Sequence, residues 1–148
     1  MRRMEKFASL VIAVFAVAAC ALSLPASSAA GADEGAHTPA KGNPERQAIL
    51  DALRGEQKVV FQVHYLKAHG DWAWIDVTPL DKQGKAVAEG GPALLERKDG
   101  AWVVLDLGKV PEDPDDPLGA EDASAGFVRN LRATFPGVPA DIFPKPSR

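Results

Sequence analysis

Hydrophobic and polar residues alternate along Val59 to Val77, VVFQVHYLKAHGDWAWIDV. Period-two spacing sets Phe61, Val63 and Tyr65 on one side of a first strand and Val60, Gln62, His64 and Leu66 on the other. A second strand sets Trp72, Trp74, Asp76 and Thr78 against Ala73, Ile75 and Val77. Runs this rich in β-branched and aromatic residues, flanking the polar break Lys67-Ala68-His69-Gly70-Asp71, predict a β-hairpin. Two registers fit it. A four-residue loop pairs Leu66 with Asp71 and brings Tyr65 to Trp72 and Val63 to Trp74; a shift of one residue brings Phe61, Val63 and Tyr65 to Ala73, Ile75 and Val77 instead.

The same pattern recurs downstream. Ala93 to Lys98 and Ala101 to Leu107 predict a second hairpin around Lys98-Asp99-Gly100, with Gly100 at the left-handed position of a three-residue loop or G1 bulge. Between the hairpins, Asp81-Lys82-Gln83-Gly84 and Gly90-Gly91-Pro92 predict a turn and a mobile connection.

Helical spacing appears on both sides of these strands. Asn43 as cap, Pro44 at the first helical position, Glu45 at the positive end and Gly55 as stop predict a helix over 44–54, with Ala48, Ile49, Ala52 and Leu53 as its apolar stripe. So short an amphipathic helix needs the sheet to lie on. Near the C-terminus, Asp122 or Ser124 can cap a helix carrying Phe127, Val128, Leu131 and Phe135, which Pro136-Gly137 stops. Ile142 and Phe143 then form an apolar clip over the core edge. The fold expected is α+β, one N-terminal helix on a four-stranded antiparallel sheet, followed by a C-terminal helix and tail.

Ahead of the domain, Arg2, Arg3 and Lys6 precede the apolar run Phe7 to Leu24, and Pro25 leads into Ala26-Ser27-Ser28-Ala29-Ala30, the pattern of a secretory signal peptide. Two processing routes stay open. Val17-Ala18-Ala19-Cys20 resembles the lipobox of bacterial lipoproteins, which makes Cys20 a lipidation candidate and gives a membrane anchor; cleavage before Gly31 gives release into the periplasm or the medium. Since Cys20 is the chain's one cysteine, no disulfide is expected in the domain. The chain divides into a signal over 1–30, a flexible Gly- and Pro-broken leader over 31–42, the helix and sheet over 43–108, and over 109–148 an acidic loop, the second helix and the tail of the same domain.

With 148 residues, 46% hydrophobic and 25% charged, the chain has room for one modest core, and a net charge of -3 argues against a nucleic-acid partner. Glu112, Asp113, Asp115 and Asp116 lack the spacing of a calcium loop and read as a solvated stretch. The order of helix, strand, Gly70-Asp71-Trp72-Ala73 and Ala93-Leu94-Leu95-Glu96-Arg97-Lys98-Asp99-Gly100-Ala101-Trp102-Val103-Val104 resembles small exported bacterial proteins of the cystatin-like and NTF2-like type, over Asn43 to Gly108. Such a resemblance implies a helix wrapped by a curved sheet, and no catalytic set carries over with it.

Three constellations are candidate chemistry. His64, His69 and Asp71 could converge on zinc or copper if the hairpin loop folds back, although no helical spacing brings them together, and neither a metal nor a cofactor is expected. Tyr65, His64 and Asp76 could serve as an acid-base set, by analogy with enzymes of the NTF2-like group. Tyr65, Trp72, Trp74 and Trp102 could form an aromatic platform on a sheet face; the alternative is that they fill the core. The function expected is a noncatalytic envelope module that binds a ligand or protein through a sheet face. Its rivals are a small enzyme using Tyr65, His64 and Asp76, and an accessory subunit that forms a homodimer through its sheet.

Overall fold

A computed structural model describes residues 35–145. The signal segment and Cys20 lie outside the described residues. Helix α1 (Pro44–Arg54) leads into four strands, β1 (Val60–His69), β2 (Trp72–Leu80), β3 (Gly91–Lys98) and β4 (Ala101–Leu105), followed by α2 (Gly119–Asp122) and α3 (Ala125–Thr134). Single 3-10 turns occupy Leu107–Lys109 and Ala140–Ile142. The sheet is an antiparallel meander in the order β1-β2-β3-β4, so β1 and β4 are its edges.

Local chemistry explains the elements. Asn43 Oδ1 accepts the Glu45 N–H at 2.8 Å, Pro44 opens α1, and Gly55 closes it at φ +54°. Ile49 is fully buried against the sheet, with Leu50, Ala52 and Leu53 packed beside it. Ala48, expected in that stripe, is exposed, and Leu50 takes its place.

Neither expected hairpin loop forms. β1 and β2 join through the two residues Gly70-Asp71, pairing His69 with Trp72, so Lys67, Ala68 and His69 are strand residues. Only Gly70 has positive φ, the pattern of a type II′ turn. Asp99 (φ +51°) and Gly100 (φ +80°) both have positive φ, so the second hairpin closes in a two-residue type I′ turn rather than a three-residue loop.

A bulge decides which side chains share a face. The register runs Val63 to Val77 and then Tyr65 to Asp76, leaving His64 as an extra residue. Leu66, Ala68, Ala73, Ile75 and Val77 therefore join Phe61 and Val63 on the α1 side, while Tyr65 faces away with Trp72 and Trp74. Strict alternation put Tyr65 with Phe61 and Val63; the extra residue reverses the phase.

Both faces of the sheet are covered. Trp102, Ala93 and Leu95 complete the core under α1. On the opposite face Trp74 and Leu94 pack against Val110, Ala123, Leu131, Val138, Ile142 and Phe143. Trp74 is 1% exposed, with its ring 5.0 Å from Phe143 and 6.2 Å from Phe127, tilted to both. Ser124 Oγ caps α3 by accepting the Phe127 N–H at 3.1 Å and itself donates to the Asp116 carboxylate. Among the described residues no helix is long and apolar enough to cross a membrane.

Candidate functional site

The two edges of the sheet end differently. Residues directly opposite in an antiparallel pair alternate between exchanging both backbone bonds and exchanging none. Across a two-residue turn the flanking pair exchanges both, so the next residue along each strand turns its N–H and C=O away from its neighbour. On β1 this sends the groups of Ala68 and Leu66 outward. The chain itself covers them: His37 exchanges two backbone bonds with Ala68, at 2.9 and 2.8 Å, and Thr38 Oγ1 donates to the Leu66 carbonyl at 2.9 Å.

The leader, expected as a flexible tether, is thus docked as a cover for the β1 edge over its described part. Side chains reinforce it. His37 Nε2 lies 2.8 Å from Glu45 Oε2, and Asp141 accepts both the Ala36 N–H at 3.0 Å and His69 Nδ1–H at 2.8 Å. The hydrogen bond from His69 holds the Asp141 carboxyl below the usual carboxylate range. Nearby, the Tyr65 hydroxyl donates to the Ile142 carbonyl at 3.0 Å, and burial, with the Asp141 charge second, pushes its pKa up. Asp141 stands 72 residues from His69 in sequence. No local pattern joins them, and the Ile142-Phe143 clip beside Asp141 was the available signal.

On β4 the same alternation turns Trp102 and Val104 outward. No further strand or backbone bond reaches them among the described residues. The strand is Ala101-Trp102-Val103-Val104-Leu105, without a charge, a proline or a bulge, the devices that usually protect an edge. Val103 is 42% exposed toward the tail side and Val104 41% exposed toward the α1 side. An apolar strand with unpaired outward amides and carbonyls can accept an added strand.

The candidate constellations read from the sequence are taken apart by these contacts. His64 Nε2 bonds Thr78 Oγ1 at 2.8 Å, His69 bonds Asp141, and Asp71 accepts from Arg97 Nε at 2.8 Å, so the three point to separate partners. Among the described residues no group of three or more His, Cys, Asp or Glu is placed to hold a metal ion. Tyr65 and Asp76 face each other in the register, but Tyr65 bonds the tail and His64 bonds Thr78, so no mutual acid-base set forms. The aromatic platform fails for Trp74, which is core, and for Trp102, which sits on the opposite face 9% exposed beneath the Arg97 guanidinium at 5.4 Å. Tyr65 and Trp72 are half-buried under the tail layer.

A cavity of about 580 Å³ lies between the acidic loop and α3, lined by Val110, Pro114, Pro117 and Phe127 with Asp113 and Asp116 at its polar side. Asp116 is engaged by Ser124 and Asp113 accepts the Asp115 N–H, so these carboxylates are used in shaping the loop. Compared with protein-family models, with curated proteins and with solved structures, the chain matches none.

Proposed function

We propose that this chain is an exported, noncatalytic protein-binding module that takes an extended segment of its partner as an added strand on β4. The observation that carries the reading is the contrast between a β1 edge covered by its own leader and a β4 edge left apolar and unpaired. A sheet face cannot serve, because α1 occupies one and the tail layer the other. Main-chain bonds along β4 would supply affinity, and Val103 and Val104, one on each face, would select the partner's side chains. The N-terminal charge and apolar pattern supports export, with either release or a lipid on Cys20. The coarse arrangement, helices on a four-stranded antiparallel meander, is compatible with the cystatin-like and NTF2-like type, and the chain is read as a binding variant of it within this proposal.

The test uses a soluble alternating Thr-Val octapeptide as a generic added strand. Amide resonances of Trp102, Val103 and Val104 are expected to shift on titration, and the shifts to disappear in Val104→Pro. That change removes only an outward N–H and so leaves the β3 ladder intact. Titration that leaves β4 unmoved, or that moves β1 instead, overturns the reading.

A further inference from the structure

We infer that the occupant of the β4 edge is a second copy of this chain, paired antiparallel about a two-fold axis through Val103; the inference rests on β4 being a binding edge, as proposed above. Each copy brings the same unpaired groups, and one symmetric arrangement satisfies both sets. With Val103 on the axis, Trp102 lies opposite Val104 of the second copy and exchanges both backbone bonds with it, and the reverse pair does the same. Ala101 lies opposite Leu105. Every position from Ala101 to Leu105 is uncharged, so no like charges meet across the strand pair.

The side chains fit as well as the backbone. Val103 meets its own copy on the tail face, at the close spacing of a pair that exchanges no backbone bonds. On the other face Val104 lies across from Trp102 of the second copy, beside α1, which packs over β4. The two valines that stand 42% and 41% exposed in the single chain are the residues this pairing covers. Two four-stranded sheets become one continuous sheet with an α1 helix from each copy on the same side.

Closure favours a second copy over an unrelated strand. A foreign segment added to β4 would present its own far edge and reopen the problem. The two-fold pair presents only the two β1 edges, and each is already covered by its leader at Ala68 and at the Leu66 carbonyl, through His37 and Thr38. Blocking these positions favours a closed pair over a filament.

Two variants of the chain, expressed from its full sequence, test the inference. The unsubstituted protein is expected to sediment at twice the chain mass, and Val104→Pro at the single mass with unchanged circular dichroism. In Val103→Cys the two thiols on the axis are within disulfide distance. Mild oxidation is expected to link the copies, while Val87→Cys on the loop remote from β4 stays unlinked and the unsubstituted chain controls for Cys20. Should Val104→Pro fail to fold, the Val103→Cys link decides. A chain at single mass at every concentration, or a doubled mass with no Val103→Cys link, overturns the second copy. If β4 still responds to the Thr-Val peptide in that chain, the binding edge stands and only the choice of occupant falls; no response means that both fall.

Discussion

Ile49 and Trp74 are both removed from solvent, yet the layers they anchor are held to the sheet in different ways. α1 packs chiefly on β4, at the far end of the sheet in sequence, over a core of aliphatic side chains with Trp102 and Phe61, and its own polar tie is the local bond from Arg54 Nε to the Val59 carbonyl. The opposite layer is assembled from Val110 to Phe143, reaches the sheet through aromatic contacts, and is tied to β1 by Tyr65 and His69 across more than 70 residues. Both layers are therefore held by strands distant from them in sequence. They differ in their fasteners: the tail layer is tied at the β1 edge, where Asp141 holds His69 and the leader's Ala36 N–H together. Sub-global opening should start on the tail side.

The comparison is broken most forcefully at the two anchors. Trp74→Ala removes the ring against which Phe143 and Phe127 pack and should cost about 3–5 kcal/mol, with Ile49→Ala costing about 2–5 kcal/mol. Urea unfolding followed by hydrogen exchange separates them. In Trp74→Ala, α3 amides should exchange before those of β2 and β3, whereas Ile49→Ala should lower all of them together. Coincident loss of α3 and sheet protection in both variants would mean that the two layers are one cooperative unit.

A smaller change sharpens the same contrast. Tyr65→Phe removes the hydrogen bond to the Ile142 carbonyl while keeping the ring, at an expected cost of about 1 kcal/mol in chemical denaturation. The smallest effect belongs to Asp141, which is half-exposed and screened: Asp141→Asn should cost about 0.5 kcal/mol at neutral pH. Its folded pKa is depressed, so its contribution is complete above the ordinary value of 3.8 and is lost as pH falls through the lower folded value. Acid titration of stability should thus be less steep below pH 3.8 in Asp141→Asn than in the unsubstituted chain. Equal slopes would remove Asp141 from the clasp.

Much of the architecture was legible because its signals are local. Asn43-Pro44 and Gly55 bound α1, Ser124 caps α3, and the alternation on either side of Gly70-Asp71 and Asp99-Gly100 marks four strands. What escaped depends on long-range pairing. The leader reads as a tether because His37 and Thr38 acquire partners only when β1 presents Ala68 and Leu66. The tryptophans suggested a platform because composition does not say that residues 110–143 return to cover one face and α1 the other. The β4 edge was visible only as a short valine strand; which edge stays open follows from strand order and from where the leader docks.

One residue in β1 stands outside the parity of the strand. With His64 removed, Val63 and Tyr65 become neighbours opposite Val77 and Asp76, already adjacent on β2, and every remaining side chain keeps the face it has. The loss is the His64 to Thr78 bond and the extra twist that a bulge imparts. Deleting a strand residue ordinarily inverts everything on one side of it. Here the chain carries a spare position, where a change of length is absorbed without exchanging inside for outside.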